Sequence, residues 1–320
     1  MSRGAIPVAD ALSSPHHHVV ATQMNVRTAL REAIVRLESE SVPSAALAAE
    51  VLLLHVLQRD RTWIYAHPEA PLSGDQWQRY FALVARRAAG TPVQYLTGTQ
   101  EFWGLEFEVT PDVLIPRPET EHVVEVALAR MSALKSETLR IADIGTGSGC
   151  LAVALATELP QAWIVATDIS SAALDVARRN AARHSVAARV EFLECNLLDV
   201  FSRGNDSAAG ASDFSADLKF ELIVSNPPYV ALADAASLPR EVREHEPAVA
   251  LFAGESGFDL YAPLIAQAEK LLARGGLLVL ELGYNAADHV AALLSSEAWR
   301  EAAIAKDLAG IARVASALRK

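Results

Sequence analysis

Only two cysteines occur in the 320 residues, Cys150 and Cys195, and they make neither a Cys-x-x-Cys pair nor any other metal-ligand spacing. A disulfide-stapled scaffold and a thiolate metal centre are thereby excluded. Both cysteines lie in apolar stretches and read as buried free thiols. Positive charge is scarce as well, with 28 Lys and Arg against 39 Asp and Glu and a net charge of −11. A protein that clamps nucleic acid through many phosphates needs the opposite balance, so no direct nucleic-acid partner is expected and a basic partner is the better electrostatic match. No apolar run approaches the roughly 18 residues of a membrane span, and the first residues lack the basic-then-apolar order of a secretory signal. A cytoplasmic protein without membrane contact is expected, acting as a monomer.

Apolar residues, by contrast, make up 51% of the chain, ample for a core, and the length exceeds one typical domain. A large α/β domain beside a smaller one is the natural division. Residues 1–22, rich in Ala, Ser and Pro, show no periodicity and read as a disordered tail, with His16-His17-His18 a solvated run that has no partner ligands nearby. From 23 to 92 the pattern is helical. Val26, Leu30, Ile34 and Leu37 make one face, and Leu47, Val51, Leu54 and Leu57 a second, with Ser44 as its cap. Trp77, Phe81 and Val84 make a third, opened by Ser73 and closed by Gly90. Three short amphipathic helices form a small bundle, which either recognises a partner or caps the larger domain. Residues 93–113, with Gly98 and Gly104 among Thr, Phe, Trp and Val, read as a β-hairpin linker.

Residues 114–320 alternate apolar strands with helices, the signature of an open α/β sheet. A helix over 260–272 is stopped by Gly275-Gly276, a strand covers 277–282, a helix starts at Ala286, and a last strand lies near the C-terminus. Ser, Ala, Gly and Asp dominate 202–217, which reads as a surface insertion. Earlier, Ile115-Pro116-Arg117-Pro118-Glu119-Thr120 cannot be helix interior, and Pro118 with Glu119 suits a first helical turn. Arg117 there is either part of a rigid linker or a ligand contact.

Two strand ends carry the chemistry. The apolar run Phe220-Glu221-Leu222-Ile223-Val224-Ser225 stops at Asn226-Pro227-Pro228-Tyr229. Neither proline has an N–H, so the backbone there is fixed in shape and offers only carbonyl oxygens, beside the Asn226 amide. A side-chain carbonyl next to a proline carbonyl can receive the two hydrogens of a planar NH2 group, with Tyr229 as an aromatic wall. Holding both hydrogens orients a nitrogen whose lone pair is otherwise delocalised, a catalytic use of positioning and electrostatics. A simple turn after a strand is the competing reading.

The second strand end is Ile141-Ala142-Asp143-Ile144-Gly145-Thr146-Gly147-Ser148-Gly149-Cys150. A strand running into alternate glycines and then a helix lets a ligand approach the backbone at the carboxyl edge of a parallel sheet. The dinucleotide fingerprint Gly-x-Gly-x-x-Gly is missing. The next strand, Trp163-Ile164-Val165-Ala166-Thr167-Asp168, ends in a carboxylate placed to accept both hydroxyls of a ribose, or to cap a helix starting at Ser170 or Ser171.

A glycine loop, a ribose-type aspartate and Asn-Pro-Pro-Tyr, at the ends of the first, second and fourth strands, resemble the S-adenosylmethionine-dependent methyltransferases of amide and amine nitrogens. Further blocks resemble the family that methylates a glutamine side chain of peptide chain release factors: Gln94-Tyr95-Leu96-Thr97-Gly98, Glu101-Phe102-Trp103, Leu114 to Glu121, and Glu246-Pro247 with Ala250-Leu251. The resemblance implies a Rossmann-like class I methyltransferase sheet, mostly parallel, of seven strands with an antiparallel strand near the C-terminus. It implies S-adenosylmethionine as cofactor, with S-adenosylhomocysteine as product, and class 1 release factors as partners. Gly145, Thr146, Gly147, Ser148 and Gly149 would then face the cofactor's methionine part and Asp168 its ribose. Asn196 and Leu197 would stand at the adenine, where the family carries aspartate and an aromatic residue, so stacking gives way to aliphatic packing. Asn226, Pro227, Pro228 and Tyr229 would hold the glutamine, with Asn226 also next to the cofactor. Asp143 and Glu281 are not expected to act as bases, because an amide nitrogen that has gained a methyl group loses its proton readily. A glutamine methyltransferase of a ribosomal protein, a nucleic-acid amine methyltransferase and a non-enzymatic nucleotide-binding module remain as alternatives.

Overall fold

The computed structural model describes Met1 and residues 24–131, 139–201 and 218–320. The tail expected at 1–22 lies outside the described residues except for Met1, and the insertion expected at 202–217 lies outside them entirely. The chain divides into two compact units, residues 1–84 and 85–320.

In the first unit α1 (Val26–Ser39) is capped by Asn25, whose side chain accepts from Thr28 N at 2.9 Å. It is followed by α2 (Ala45–Leu57), α3 (Arg61–Ala66) and α4 (Gly74–Ala88). Ser73 and Gln76 open α4 with a reciprocal pair of side-chain to backbone bonds at 3.1 and 2.9 Å, a capping box with Gln in the acidic place. Two expectations change here. Helix α3 is additional, because six residues are too few to show a periodic face. Ser44 sits in the left-handed region at φ 52° and makes no capping bond. Tyr80 donates to the Ala49 carbonyl at 2.9 Å within the core, and the buried Glu50 takes up Arg61 and the Tyr65 hydroxyl. The division between the two units, after Val84, falls inside α4.

The second unit begins with the end of α4 and α5 (Val93–Thr97), then the antiparallel hairpin of β1 (Thr99–Phe102) and β2 (Leu105–Glu108). A 3-10 turn over Pro118–Thr120 leads into α6 (Glu121–Met131). Next come β3 (Leu139–Ile144), α7 (Cys150–Glu158), β4 (Ala162–Asp168), α8 (Ser171–Arg183), β5 (Val190–Glu194) and β6 (Phe220–Ser225). The chain ends with α9 (Arg240–His245), α10 (Tyr261–Leu271), β7 (Leu272–Glu281), α11 (Ala287–Leu293), β8 (Trp299–Lys306) and β9 (Ala312–Arg319). The seven-stranded sheet has the order β5-β4-β3-β6-β7-β9-β8, parallel except that β9 runs antiparallel to both neighbours.

Both faces of this sheet are covered. Ile141, Ile164, Leu222, Val224 and Val279 share one apolar cluster, while Ala142, Ile144, Val165, Ile223, Leu278 and Leu280 share the other. That is why its central strands read as unbroken apolar runs rather than alternating ones. The stop expected at Gly275-Gly276 is not a helix end: β7 already begins at Leu272, and its pairing shifts between Phe220 opposite Leu272 and Leu222 opposite Leu277. The two glycines sit in that irregularity, Gly275 at φ +79°. Strand β8 carries mostly exposed side chains at the sheet edge and shows no alternation to be read. Among the described residues no helix is long and apolar enough to cross a membrane.

Candidate active site

The chain leaves β3 toward β4 and β5 on one side and returns to β6 on the other, so the order reverses between β3 and β6. In open α/β sheets the crevice outside the carboxyl ends of the strands at such a reversal is where ligands bind. Ser225 Oγ donates to the Ile144 carbonyl at 2.7 Å and ties these two strand ends together. Above them opens a cleft of about 290 Å³.

Gly145, Thr146, Gly147 and Ser148, Asp168, Asn196 and Leu197, and Asn226, Pro227 and Pro228 all line this one cleft. Gly149 and Tyr229 stand behind the wall. At φ +81°, Gly149 lies so close to α8 that a Cβ there would come 3.1 Å from Ala177 Cβ. The Tyr229 ring packs on Gly283, where a Cβ would come 3.0 Å from it, and its hydroxyl donates to Glu281 Oε1 at 3.2 Å. Cys195 is only half-buried and follows β5 rather than lying in it; its Sγ donates to the Leu197 carbonyl at 3.3 Å. Cys150 is buried at the start of α7, where burial pushes its thiol up to about 12.

Four of the five N–H groups of the glycine loop are taken up within the protein. Gly145 and Thr146 both donate to the Thr167 carbonyl, at 2.8 and 2.9 Å, Gly147 donates to Asp168 Oδ2 at 2.9 Å, and Gly149 to the Thr146 carbonyl at 2.8 Å. A loop so committed cannot offer a nest of donors to a pyrophosphate. Asp143 is fully buried beneath it and accepts from the Thr146 hydroxyl at 2.6 Å and from Ala152 N at 3.1 Å. Burial pushes its carboxyl up to about 7. It staples the loop to α7 and does not face the cleft as a base. Asn180, also fully buried, accepts from Glu108 N at 2.7 Å and donates to the Glu108 and Ser148 carbonyls at 3.0 and 2.8 Å, holding the loop and β2 on α8.

Asp168 does not cap α8; Ser170 does, accepting from Ala173 N at 3.1 Å. Asp168 accepts backbone N–H groups on both oxygens, Gly147 N on Oδ2 at 2.9 Å and Ser170 N on Oδ1 at 3.0 Å, and its carboxylate lines the cleft. Burial raises its carboxyl above the ordinary range while those N–H groups oppose the rise. An adenosyl sulfonium fits this surface. A Cβ on Gly145 or Gly147 would meet nothing within 4 Å, so the loop borders open space, and the nearby carboxylate and spent N–H groups favour hydroxyls and cations over phosphates.

Several lining residues were given no role in the site by the sequence. Ile169 follows Asp168 and is exposed, while Pro116 and Thr120 come from the proline block ahead of α6, and Val249, Phe252 and Leu260 from the stretch after α9. Arg117 turns away to pair with the buried Glu246 at 2.5 Å, and the second oxygen of Glu246 accepts from Ile115 N at 3.3 Å. Thus the rigid-linker reading of Arg117 describes its contacts. Thr120 is the most informative omission: it is buried, lines the cleft, and accepts from Asn226 Nδ2 at 3.0 Å.

Residues 28–98 match the family described as PrmC N-terminal domain, and residues 125–239 match the methyltransferase small domain. A release factor glutamine methyltransferase of Koribacter versatilis is 40% identical over 91% of this chain and 97% of its own length. One of Moorella thermoacetica is 43% identical over 93% and 99%. Among solved structures, the hMettl16 catalytic domain in complex with a 3′UTR hairpin superposes with a TM-score of 0.51 at 14% identity, covering 83% of this chain and 87% of that one. At that identity the likeness is one of fold.

Proposed function

The chain belongs to the release factor glutamine methyltransferase family, and from that premise we propose that it methylates the side-chain amide nitrogen, N5, of the glutamine in the Gly-Gly-Gln motif of class 1 peptide chain release factors, with S-adenosylmethionine as donor. The fold is that of class I methyltransferases and the activity that of a protein methyltransferase. The observation that carries the finer reading is a single cleft lined by the glycine loop, by Asp168 and by Asn226-Pro227-Pro228.

Bound S-adenosylmethionine would supply an electrophilic methyl group on a sulfonium. Gly145, Thr146, Gly147 and Ser148 would border its methionine part, Asp168 would accept its ribose hydroxyls, and Asn196 and Leu197 would stand at its adenine. Asn226 Oδ1 and the Pro227 carbonyl accept the two hydrogens of the target amide, which orients its nitrogen and lets the lone pair localise as charge develops. Tyr229 supports this strand end from behind. The nitrogen gains the methyl group and releases one proton to solvent. No side chain is required to take it. The working location is the cytoplasm and the working form a monomer.

The test is incubation of the full chain with S-adenosylmethionine and a release factor, followed by peptide mass spectrometry. One added methyl on the Gly-Gly-Gln glutamine is the expected result. Methylation only of a ribosomal protein or of a nucleic-acid amine, offered in parallel, would overturn the substrate reading.

A further inference from the structure

Three stretches of chain meet where the cleft reaches Asn226. The proline block contributes Pro116 and Thr120, the strand end Asn226 and Pro227, and the stretch after α9 Val249 and Phe252. The strand end makes two of the three junctions itself. Asn226 Nδ2 donates to Thr120 Oγ1 at 3.0 Å, while Val230 N donates to the Leu251 carbonyl at 2.9 Å and the Val230 carbonyl accepts from Ala253 N at 3.0 Å. The third junction, between the proline block and the stretch after α9, is bridged by Glu246.

Local sequence sets the place of this side chain. Helix α9 ends at His245, Glu246 N still donates to the Val242 carbonyl at 3.1 Å, and Pro247 confines the residue before it to extended backbone, here φ −87° and ψ 149°. The Glu246 side chain, 1% exposed, meets two donors: Arg117 Nη2 at 2.5 Å from Oε1 and Ile115 N at 3.3 Å from Oε2. Both donors belong to the proline block, and each takes a different oxygen. A glutamine has one accepting end and one donating end, so it would serve only one of them, whereas a carboxylate serves both. An ion pair this buried adds little net stability, because desolvation offsets the attraction. What it does fix is the separation of two walls of the cleft.

We propose that Glu246 is a positioning residue that closes these three stretches into a ring around the target amide, holding Pro116 and Thr120 in register with Val249 and Phe252. This rests on the place given above to the target glutamine, and Glu246 itself touches no reactant. The glycine loop and Asp168 lie outside the ring. Glu246→Gln keeps the size of the side chain but sets a donor against a donor. In the full chain it should lower kcat/KM for the release factor about 10-fold or more, the size of one lost hydrogen bond to a charged group. Its S-adenosylmethionine affinity should stay within about threefold, as expected for sites that share no partner. Arg117→Met, which cuts the same junction from the other side, should do likewise. Parental kcat/KM in either variant overturns the proposal, and so does a loss of cofactor affinity as large as the loss of kcat/KM.

A second readout needs no turnover. Hydrogen exchange read by mass spectrometry should be faster in Glu246→Gln than in the parent for peptides covering 114–120 and 248–253, and unchanged for those covering 141–149 and 220–225. Equal exchange in the first two segments would sink the idea, and faster exchange in all four would make Glu246 a general support of the fold instead. If Glu246→Gln fails to fold, Arg117→Met, changed at a side chain 32% exposed, carries the same comparison. Should the parent methylate no release factor, the substrate reading fails, while the exchange comparison still decides whether Glu246 joins the two walls.

Discussion

At the scale of single residues, Asn226 and Asp168 separate the two halves of the site. Asn226→Ala removes one acceptor at the point where charge develops, and a fall of about 10²–10³ in kcat is expected with cofactor affinity nearly kept. Calorimetry with S-adenosylmethionine beside single-turnover kinetics checks both. Asp168→Ala should do the reverse, weakening cofactor binding by about 1.5–3 kcal/mol, the worth of charge-assisted hydrogen bonds; unchanged affinity would leave Asp168 as a brace for Gly147 and Ser170 only. Glu281 adds a dependence on pH. Burial pushes its carboxyl up to about 7; the Thr120 and Tyr229 hydroxyls and Arg313 favour its charge, and Glu119 disfavours it. The Tyr261 hydroxyl, donating to its backbone carbonyl at 3.2 Å, faces it as well. Between its ordinary pKa near 4.5 and about 7 the folded state binds the proton that the unfolded state has lost, so this group's contribution to stability is present at low pH and fades as pH rises through that window. Glu281→Gln should therefore gain stability relative to the parent on going from pH 4.5 to 7, by up to about 3 kcal/mol, read from denaturant midpoints.

At the scale of elements, the local sequence was legible where neighbours in the chain decide the structure. The run into Asn226, the glycine loop after Ile144 and the carboxylate ending β4 each announce a strand end, because strand, turn and helix follow one another within about ten residues. Helix α3 and strand β8 were illegible, the first for shortness and the second because its exposed edge carries no pattern. Gly275-Gly276 misled, since a glycine pair signals a break without telling a helix stop from an irregular strand. Thr120 could not be found from its own surroundings, as its partner Asn226 is 106 residues away. The same holds for Asn180, 72 residues from Glu108, which looks like any polar helix residue until α8 is packed. Asn180→Leu would leave the Glu108 N–H and two carbonyls without their partner inside the fold. A loss of about 3 kcal/mol or more is expected, together with weaker cofactor binding through the released Ser148 carbonyl. Urea unfolding at constant slope, alongside calorimetry, measures both effects.

At the scale of the whole chain, the functional assignments separate along the two compact units. Every residue assigned to cofactor or target glutamine lies between 145 and 229, within the second unit, whereas the helices before Val84 contain no residue of the cleft. A helical unit that does no chemistry can still supply binding surface for a protein substrate. Where to cut is a structural question. Arg87, with its side chain 6% exposed, pairs with Glu241 of α9 at 2.6 Å and donates to the Thr91 carbonyl at 3.2 Å. A truncation at 92, the boundary read from the sequence, would remove that arginine and leave Glu241 unpaired beside the stretch that leads to Glu246 and the wall of the cleft. Starting the shortened protein at Ala85 keeps Arg87 and the second unit whole. Such a chain is expected to bind S-adenosylmethionine within about threefold of the parent, because none of the cofactor contacts has been touched. Its KM for an intact release factor should rise about tenfold or more, a loss of roughly 1.4 kcal/mol of partner binding, while a short Gly-Gly-Gln peptide should be methylated as well as before. If the shortened enzyme handles the intact factor with parental KM, the helices serve stability alone; if it loses the cofactor, the two units do not function separately.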